Sequence, residues 1–497
     1  MSLLDDVSIV VTPNGYKAGE LYAVIPVPTE GAEEGTNMDF SSGTSPWALN
    51  SNWSLGGVGV IADGTSNSTV WQNSVVEDNK QYIVTYTLTD FLQGTVNVEL
   101  AGSHGISRTI AGTYTEVITS GTSPTTRITF EGSGNFQVTL SNVIVKEWTG
   151  ADMDVTRATD ATRVDENGLI EDVLDNVPRI DYTGGGCPHI LAEPQRTNLV
   201  TYSEDFSQTK WTGSPTTADV TVTTNTNPSG ASGTYSVENV TGTQLGSFYT
   251  ITSGVDYTNS FYVRNISGSG VISLKDINNS GTEFTATSEW QKFSVTGTSN
   301  STTGRIYLSV TTLGDIVEVW GASLELGSYP TSLIPTSGST VTRNQDIFSR
   351  DGIGSLINST EGVLFLEMAA LSDDGTNKRI SLSDGTNTNR VVIAYSTSNN
   401  IQIFIVGAPA GTFAPSQSID ITLNSKIAVS WSSTEARFYV DGSPILVTLG
   451  DFSYSASTLS ELKTEDGAGG NKFFGKVKQL QVYDTALTDT QLAALTS

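Results

Sequence analysis

The sequence predicts an all-β protein built from serial β-sandwich domains, with a small N-terminal β anchor and one short C-terminal helix. Residues 82–148 and 257–320 each open with an alternating strand pattern, continue through Gly/Ser/Thr-punctuated strands and close on a strand that ends at a Trp. The region after residue 337 has a different strand pattern. A chain of 497 residues exceeds one hydrophobic core, and about 150 residues per domain suggests about three domains.

The composition excludes several classes of function. Acidic residues outnumber basic ones by 52 to 25, giving a formal net charge of −27 that repels nucleic acids and anionic membrane surfaces. A single cysteine, Cys187, allows no intrachain disulfide. No apolar run approaches the roughly 20 residues of a membrane span, and the acidic start does not resemble a signal peptide. We therefore expect no nucleic-acid partner, no membrane insertion and no signal peptide.

The N-terminal residues predict a hairpin. Strand-like runs at residues 7–12 and 21–26 flank Pro13-Asn14-Gly15, which is predicted to be the turn. Because a lone hairpin is barely stable, it must pair with other strands. The expected partner lies within residues 151–183, where Asn167-Gly168 predicts a second hairpin turn.

Five segments follow from these patterns. They are residues 1–29, the first part of the N-terminal anchor; 30–149, a first sandwich inserted into that anchor; 150–199, the second part of the anchor and a linker; 200–336, a second sandwich; and 337–497, a third. The insertion predicts that residues near 28 and 151 lie close together.

The third segment contains its own turn and helix signals. Asp441-Gly442 predicts a tight turn between two strands. Thr488 is followed three residues later by Gln491, which is the spacing of a capping box. The chain is therefore expected to finish on one short helix.

The linker and the exit from the second sandwich resemble segments of structural proteins from tailed-bacteriophage particles. The residues that carry this resemblance are 153–159, 167–171, 178–182, 193–199, 320–336 and 341–343. The resemblance implies a virion protein, made in the host cytoplasm, of tail-fibre, spike or receptor-binding type. It also implies a homotrimer whose N-terminal anchor contacts other virion structural proteins.

Two further resemblances concern the sandwiches. Residues 30–149 and 200–336 are similar to jelly-roll carbohydrate-binding modules of families 4 and 9, with a Trp soon after entry (Trp53, Trp211) and an aromatic residue before a strand (Tyr114, Trp290). Residues 337–497 resemble the concanavalin A-like, laminin-G-like lectin/glucanase fold. Both resemblances imply binding of glycans.

Aromatic faces and loop oxygens supply the candidate binding residues. The predicted glycan platforms near loops or strand ends are Trp53, Trp71, Phe248, Tyr249 and Tyr395, and the alternative for each is a core position. Trp148, Trp320 and Trp431 are predicted to be core residues. Asp373, Asp374 and Asp384 offer oxygens for calcium, the one cofactor considered, although plain Asp-Gly turns are the favoured interpretation.

The acids do not predict an enzyme. Glycoside hydrolysis needs two carboxylates flanking the bond, and glucanases of the resembled fold carry clustered acids on one strand. The third segment has only separated acids such as Glu361 and Glu367, and Glu318 and Glu325 lie seven residues apart. The favoured function is adhesion to host-surface or environmental glycans. The alternatives are a purely structural decoration or baseplate component and a glycan depolymerase in the third segment.

Overall fold

The structure is a computed structural model that describes residues 6–65, 67–212, 219–242, 244–397 and 399–497. The regular secondary structure of the described residues is almost entirely β-strand, arranged as sandwiches, which confirms the predicted fold class. None of the described helices is long and apolar enough to cross a membrane. Three large hydrophobic cores lie in succession, and we call residues 30–149, 200–336 and 337–497 the first, second and third modules.

The first module is organised around two long strands that pair along most of their length. In one of them, alternate side chains of Tyr82, Val84, Tyr86 and Leu88 are buried, because a strand with period two buries one face. The strands are β3 Thr29–Glu33, β4 Ala48–Leu49, β5 Trp53–Leu55, β6 Val60–Asp63, β7 Ser68–Gln72, β8 Gln81–Leu100, β9 Ser103–His104, β10 Gly112–Thr119 and β11 Ile128–Thr149, after β1 Val7–Lys17 and β2 Glu20–Ile25 at the N-terminus.

The linker consists of short strands that belong to three different sheets. They are β12 Met153–Thr156, β13 Ala161–Val164, β14 Ile170–Val173, β15 Ile180–Asp181, β16 His189–Ala192 and β17 Arg196–Asn198. The β13–β14 hairpin turns where Asn167-Gly168 predicted, with Gly168 at φ +81°, a backbone conformation that favours glycine.

The second module has two facing sheets, ordered β18-β19-β26-β21-β24 and β20-β25-β22-β23. Leu274, Leu308 and Phe261 are among the side chains buried in its core. Its elements are α1 Thr209–Thr212, β18 Asp219–Thr226, β19 Ser232–Glu238, β20 Leu245–Thr250, β21 Asp256–Ser267, β22 Val271–Lys275, β23 Gly281–Thr285, β24 Gln291–Thr298, β25 Thr303–Val310 and β26 Ile316–Leu326.

The third module and parts of the earlier segments share one sheet of sixteen described strands. Residues from both ends of the strand order, such as Ile403 and Phe438, meet in one core. The remaining elements are β27 Val341–Arg343, β28 Ile347–Arg350, β29 Gly362–Ala370, β30 Lys378–Ser383, β31 Arg390–Ser396, β32 Asn400–Val406, β33 Ser416–Ser418, β34 Ser425–Trp431, β35 Glu435–Val440, β36 Ser443–Leu449, β37 Glu461–Lys463, β38 Gly475–Tyr483 and α2 Asp489–Leu495.

The N-terminal hairpin belongs to this large sheet. β1 pairs with β2 on one side and with β38 on the other, so that Val11 lies opposite Leu480. The predicted turn at Pro13-Asn14-Gly15 is wrong, because these residues lie within β1 at an irregularity in the β1–β2 register. The chain turns instead at Ala18-Gly19, where Gly19 has φ +84°.

The first module is inserted between β2 and β12, which are neighbouring strands of this sheet. Thr29 at the start of β3 pairs with Thr149 at the end of β11, and Met153 of β12 pairs with Leu21 of β2. The predicted proximity of residues 28 and 151 is therefore confirmed.

The sequence also predicted details of the core and the C-terminus. Trp320 and Trp431 are core residues as predicted, whereas Trp148 is only half-buried because it lies where β11 leaves the first module. The predicted Asp441-Gly442 turn connects β35 and β36. The capping box is also confirmed: Thr488 accepts from the Gln491 backbone at the start of α2, and the Gln491 side chain accepts from the Thr488 backbone.

Candidate functional site

A buried set of charged residues joins the linker to the second and third modules. We call it the ionic cluster, and it consists of Arg157, Arg179, Glu193, Arg343 and Asp346. The side chains of all five are at most 4% exposed. Their sequence positions are distant, since each lies beside a different short strand from β12 to β28.

Shared carboxylates hold the ionic cluster together. One Glu193 oxygen, Oε2, lies 2.6 Å from an Arg179 nitrogen and 2.7 Å from an Arg343 nitrogen. Asp346 binds Arg157 at 2.9 Å and also pairs with Arg179. Backbone and hydroxyl groups complete the network, because Ser332 donates from its N–H and its hydroxyl to Glu193 at 2.8 and 2.7 Å.

The charge balance of this network fixes the protonation of Glu193. Burial alone would raise the pKa of Glu193, but Arg343, Arg179 and the Ser332 hydrogen bonds together hold it well below its usual range. Glu193 is therefore a carboxylate at every ordinary pH.

A cleft of about 860 Å³ opens beside the ionic cluster, and we call it the junction cleft. The β13–β14 hairpin and the Gly184–Gly186 loop form its linker side, and residues of the second module face them. Ala370, Leu371, Thr422 and Lys476 of the third module complete the lining. A cleft of this size at a meeting of domains is typical of a ligand site.

Aromatic rings and cations line the part of the cleft contributed by the second module. Tyr262 and Trp290 are half-buried, and the Tyr262 ring meets buried Trp320 edge-on at 5.6 Å. The Arg264 guanidinium lies over Trp290 at 4.8 Å, and the Lys292 ammonium lies 5.4 Å from the centre of the Tyr262 ring. The lining thus combines apolar ring surface with hydrogen-bond donors.

Arg264 is held in place by a buried partner. Its Nε and Nη2 donate to one oxygen of Glu318 at 2.8 and 2.6 Å. Burial would raise the pKa of Glu318, but hydrogen bonds from Asn225 and Arg264 lower it. Glu325, the other acid considered with Glu318 for hydrolysis, accepts instead from Ser323 and Thr331. The two carboxylates therefore serve separate structural networks.

Two buried carboxylates of the cleft, Asp181 and Glu193, do not resemble a general acid. Glycosidic general acids need a raised pKa. The pKa of Asp181 is lowered, because hydrogen bonds from His189, Thr183 and the Val164 backbone outweigh its burial. The pKa of Glu193 is lowered as well. Their charge state favours binding and positioning over proton donation.

Three of the five predicted aromatic platforms are in cores, and two of these are Trp53 and Tyr395. Trp53 is 5% exposed and packs against Phe136 at 5.4 Å, and Tyr395 is fully buried with its hydroxyl donating to the Met368 carbonyl at 2.9 Å. Neither ring can contact a glycan in this structure, because Trp53 on β5 and Tyr395 on β31 both point into a hydrophobic core.

Trp71, Tyr249 and Phe248, the remaining predicted platforms, differ in how much of the side chain is exposed. Trp71 is half-buried on β7, and Tyr249 is 8% exposed with the Lys210 ammonium 4.7 Å from its ring centre. Phe248 is the most exposed of the five, at 38%, and Arg305 lies over its ring at 5.4 Å. Phe248 faces away from the core on β20 and does not line the junction cleft.

The calcium candidates make ordinary turn contacts. Asp374 accepts from the backbone and hydroxyl of Thr376 and forms an ion pair with Lys378. Asp384 accepts from Thr386 and Asn389. Within the described ranges, no three His, Cys, Asp or Glu side chains are grouped so that they could hold a metal ion.

The sequence reasoning missed the residues that the structure brings together. Trp290 was noted only as part of a module pattern, and Tyr262, Arg264 and Lys292 were not considered. One signal was present: Tyr262 and Arg264 alternate on β21, so they share the face of the sheet that meets the linker. The partner surface could not be identified from one sequence.

Comparisons with known proteins support the fold of the third module. Residues 368–493 match the family model of the concanavalin A-like lectin/glucanases superfamily. A search of curated proteins gives no match to the chain.

Solved structures resemble only part of the chain. The CBM40 module of the Ruminococcus gnavus IT-sialidase, bound to α2,3-sialyllactose, is 13% identical and covers 30% of this chain and 92% of its own, with a TM-score of 0.27. A leech intramolecular trans-sialidase is 16% identical and covers 30% and 26%, with a TM-score of 0.26. A heptameric pentraxin from Limulus polyphemus is 15% identical and covers 28% and 70%, with a TM-score of 0.24. These scores carry no functional argument.

Proposed function

We propose that this protein is an adhesin that binds a glycan in the junction cleft. The observation that carries the proposal is the combination of two half-buried rings, Tyr262 and Trp290, with fixed donors in a cleft large enough for several sugar units. Sugars bind proteins through aromatic faces together with a few well-placed polar groups. The lectin-like third module, which forms one wall, agrees with this function.

Binding without hydrolysis is part of the proposal. Two carboxylates of the cleft, Asp181 and Glu193, have lowered pKa values and are committed to hydrogen bonds or ion pairs. A depolymerase would need a protonated acid among the residues that touch the sugar. The test is incubation of bound glycans with the protein, and release of reducing ends would contradict this part.

The wider role we propose is that of a tailed-phage appendage, such as a tail fibre or spike that recognises a host surface. The support is the resemblance of the linker sequence to segments of phage structural proteins. Four residues of those segments, Arg157, Arg179, Glu193 and Arg343, belong to the ionic cluster. A homotrimer located in the virion belongs to the same proposal. Sedimentation of the purified chain tests the trimer, and antibody labelling of particles tests the location.

The adhesion experiment is a glycan array probed with the full chain, with and without calcium. Trp290→Ala removes the ring that lines the cleft, and Phe248→Ala removes an exposed ring of the same module outside it. We expect Trp290→Ala to weaken binding at least about tenfold, the effect of a good aromatic contact, and Phe248→Ala to leave it unchanged. The reverse result would move the site to β20. Silence of the folded wild type on the array would favour a structural role.

A further inference from the structure

The cations around the floor of the junction cleft are not all paired. The ionic cluster contains three arginines and two carboxylates, Glu193 and Asp346. Lys292 adds a fourth cation beside it, and Glu325 adds a third carboxylate. Asp181, a further carboxylate of the cleft, lies 3.2 Å from His189. Each of the three arginines is paired with Glu193 or Asp346, whereas Lys292 has no ion pair among the described residues.

Lys292 is the cation that faces the cleft. Its ammonium donates to the backbone carbonyl of Thr331 and lies over the Tyr262 ring, and it lines the cleft. An ammonium has three N–H donors, so one carbonyl does not satisfy it. Among the residues that the structure describes, Lys292 forms no ion pair, and the two oxygens of its neighbour Glu325 accept from the hydroxyl groups of Ser323 and Thr331.

Burial makes this arrangement costly. Desolvation lowers the pKa of Lys292, with attraction from Glu325 and Glu193 opposing it and repulsion from Arg343 adding to it. A half-buried cation without a close counter-ion is stabilised by an anion that enters the same cleft.

The acids of the rim do not supply that anion. Glu166 and Glu289 are exposed, so that water and salt screen them. The Asp165 carboxylate accepts from the backbone N–H groups of Asn167 and Leu169 within its own turn. Lys292 is therefore available to pair with an anionic group of a ligand.

We propose that the junction cleft selects an acidic glycan, whose anionic substituent lies against Lys292 while its sugar ring lies near Tyr262 and Trp290. This inference rests on the proposed function, because it names the class of sugar for the same cleft. A carboxylate and a sulfate ester share the required chemistry, and a lysine ammonium recognises either as a point charge.

The test compares matched acidic and neutral oligosaccharides by isothermal titration against the full chain. The probes are hexagalacturonate and its methyl ester, a hyaluronan hexasaccharide and its carboxyl-reduced form, and a chondroitin sulfate hexasaccharide and its desulfated form. We expect at least one acidic probe to bind about tenfold or more tightly than its neutral counterpart. The uronate and sulfate pairs show which anion is preferred.

Lys292→Met tests the residue itself. We expect it to remove the preference, so that acidic and neutral probes bind with equal affinity, whereas Lys292→Arg retains the preference. Melting temperatures show whether the variants fold, and replacing a desolvated cation by an apolar side chain should not lower that of Lys292→Met. If Lys292→Met does not fold, salt dependence replaces it, since only a charge contact weakens with added salt.

Two failures have different meanings. Equal binding of acidic and neutral probes, lost in Trp290→Ala, would overturn the acidic class and keep the cleft as a glycan site. An absence of binding by all six probes and by the whole array would overturn the proposed function itself.

Discussion

Removing the charge of Glu193 should destabilise the protein strongly. In Glu193→Gln only one oxygen is left to accept, so the NH2 group faces either the Ser332 N–H or the donors that now bind Oε2, while Arg179 keeps its pair with Asp346. Arg343, whose side chain is 0% exposed, loses its acidic partner at 2.7 Å. Stranding one buried charge costs about 3–5 kcal/mol, and a loss within that range is expected here.

The assay is urea unfolding at pH 7. Calorimetry on the same samples identifies the transition that belongs to the second and third modules. Glu77→Gln is the matched control, because Glu77 pairs with Lys80 at 2.8 Å but is 72% exposed. An exposed pair contributes at most about 1 kcal/mol. A loss of less than about 1 kcal/mol in Glu193→Gln would refute the reasoning.

The double variant Glu193→Leu with Arg343→Met separates charge from packing. Replacing both partners with apolar side chains removes the stranded cation, so that most of the lost stability should return. Acid provides a second control. Because the folded state lowers the pKa of Glu193, its contribution is complete above the unfolded value near 4.5 and is lost as the pH falls through the folded value. The difference between wild type and Glu193→Gln should therefore begin to shrink below about pH 4.5 and be lost only in strong acid.

Three further predictions concern other parts of the molecule. Burial raises the pKa of Asp152 despite a hydrogen bond from Ala23, and nearby Glu20 raises it further, so Asp152→Asn should raise the melting temperature at pH 7. That gain should vanish as the pH falls through the folded pKa, because the wild-type carboxyl is then also neutral; a lower melting temperature at pH 7 would contradict it. Residues 337–497 expressed alone should be insoluble or poorly folded, because the β1–β38 pairing is missing, and a sharp, cooperative melt would contradict this. Thr488→Ala should cost about 1 kcal/mol in urea unfolding through loss of the α2 cap, whereas an unchanged midpoint would contradict the cap's contribution.

Local patterns predicted the parts of this fold that depend on local physics. Alternation predicted the strands around Tyr82 and Tyr257, and Asn167-Gly168 and Asp441-Gly442 predicted turns because they tolerate positive φ. The turn at Pro13-Asn14-Gly15 failed because a strand can absorb such residues in an irregular register when strands on both sides hold it.

The candidate site depended on contacts that local patterns do not encode. Val11 and Leu480 are paired although they lie at opposite ends of the chain, and nothing in either strand specifies the other. Tyr395 lies in β31, where residues 391–395 are all apolar and all buried, so the sequence pattern could not show which way the Tyr395 ring points. The cleft needs three segments at once, which explains why Trp290 and Lys292 were not singled out.

The ionic cluster positions the cleft more than it stabilises the fold. Apolar residues of equal volume would avoid the desolvation of five charges. An apolar core, however, would not specify which backbone groups meet. Arg179 donates to the Thr162 carbonyl at 3.2 Å and Arg343 to the Pro194 carbonyl at 2.8 Å, which ties the β13–β14 hairpin and the start of β17 to one point. The double variant of Glu193 and Arg343 should therefore recover stability without recovering glycan affinity, because the hydrogen bond from Arg343 that helps to position the walls of the cleft would be missing.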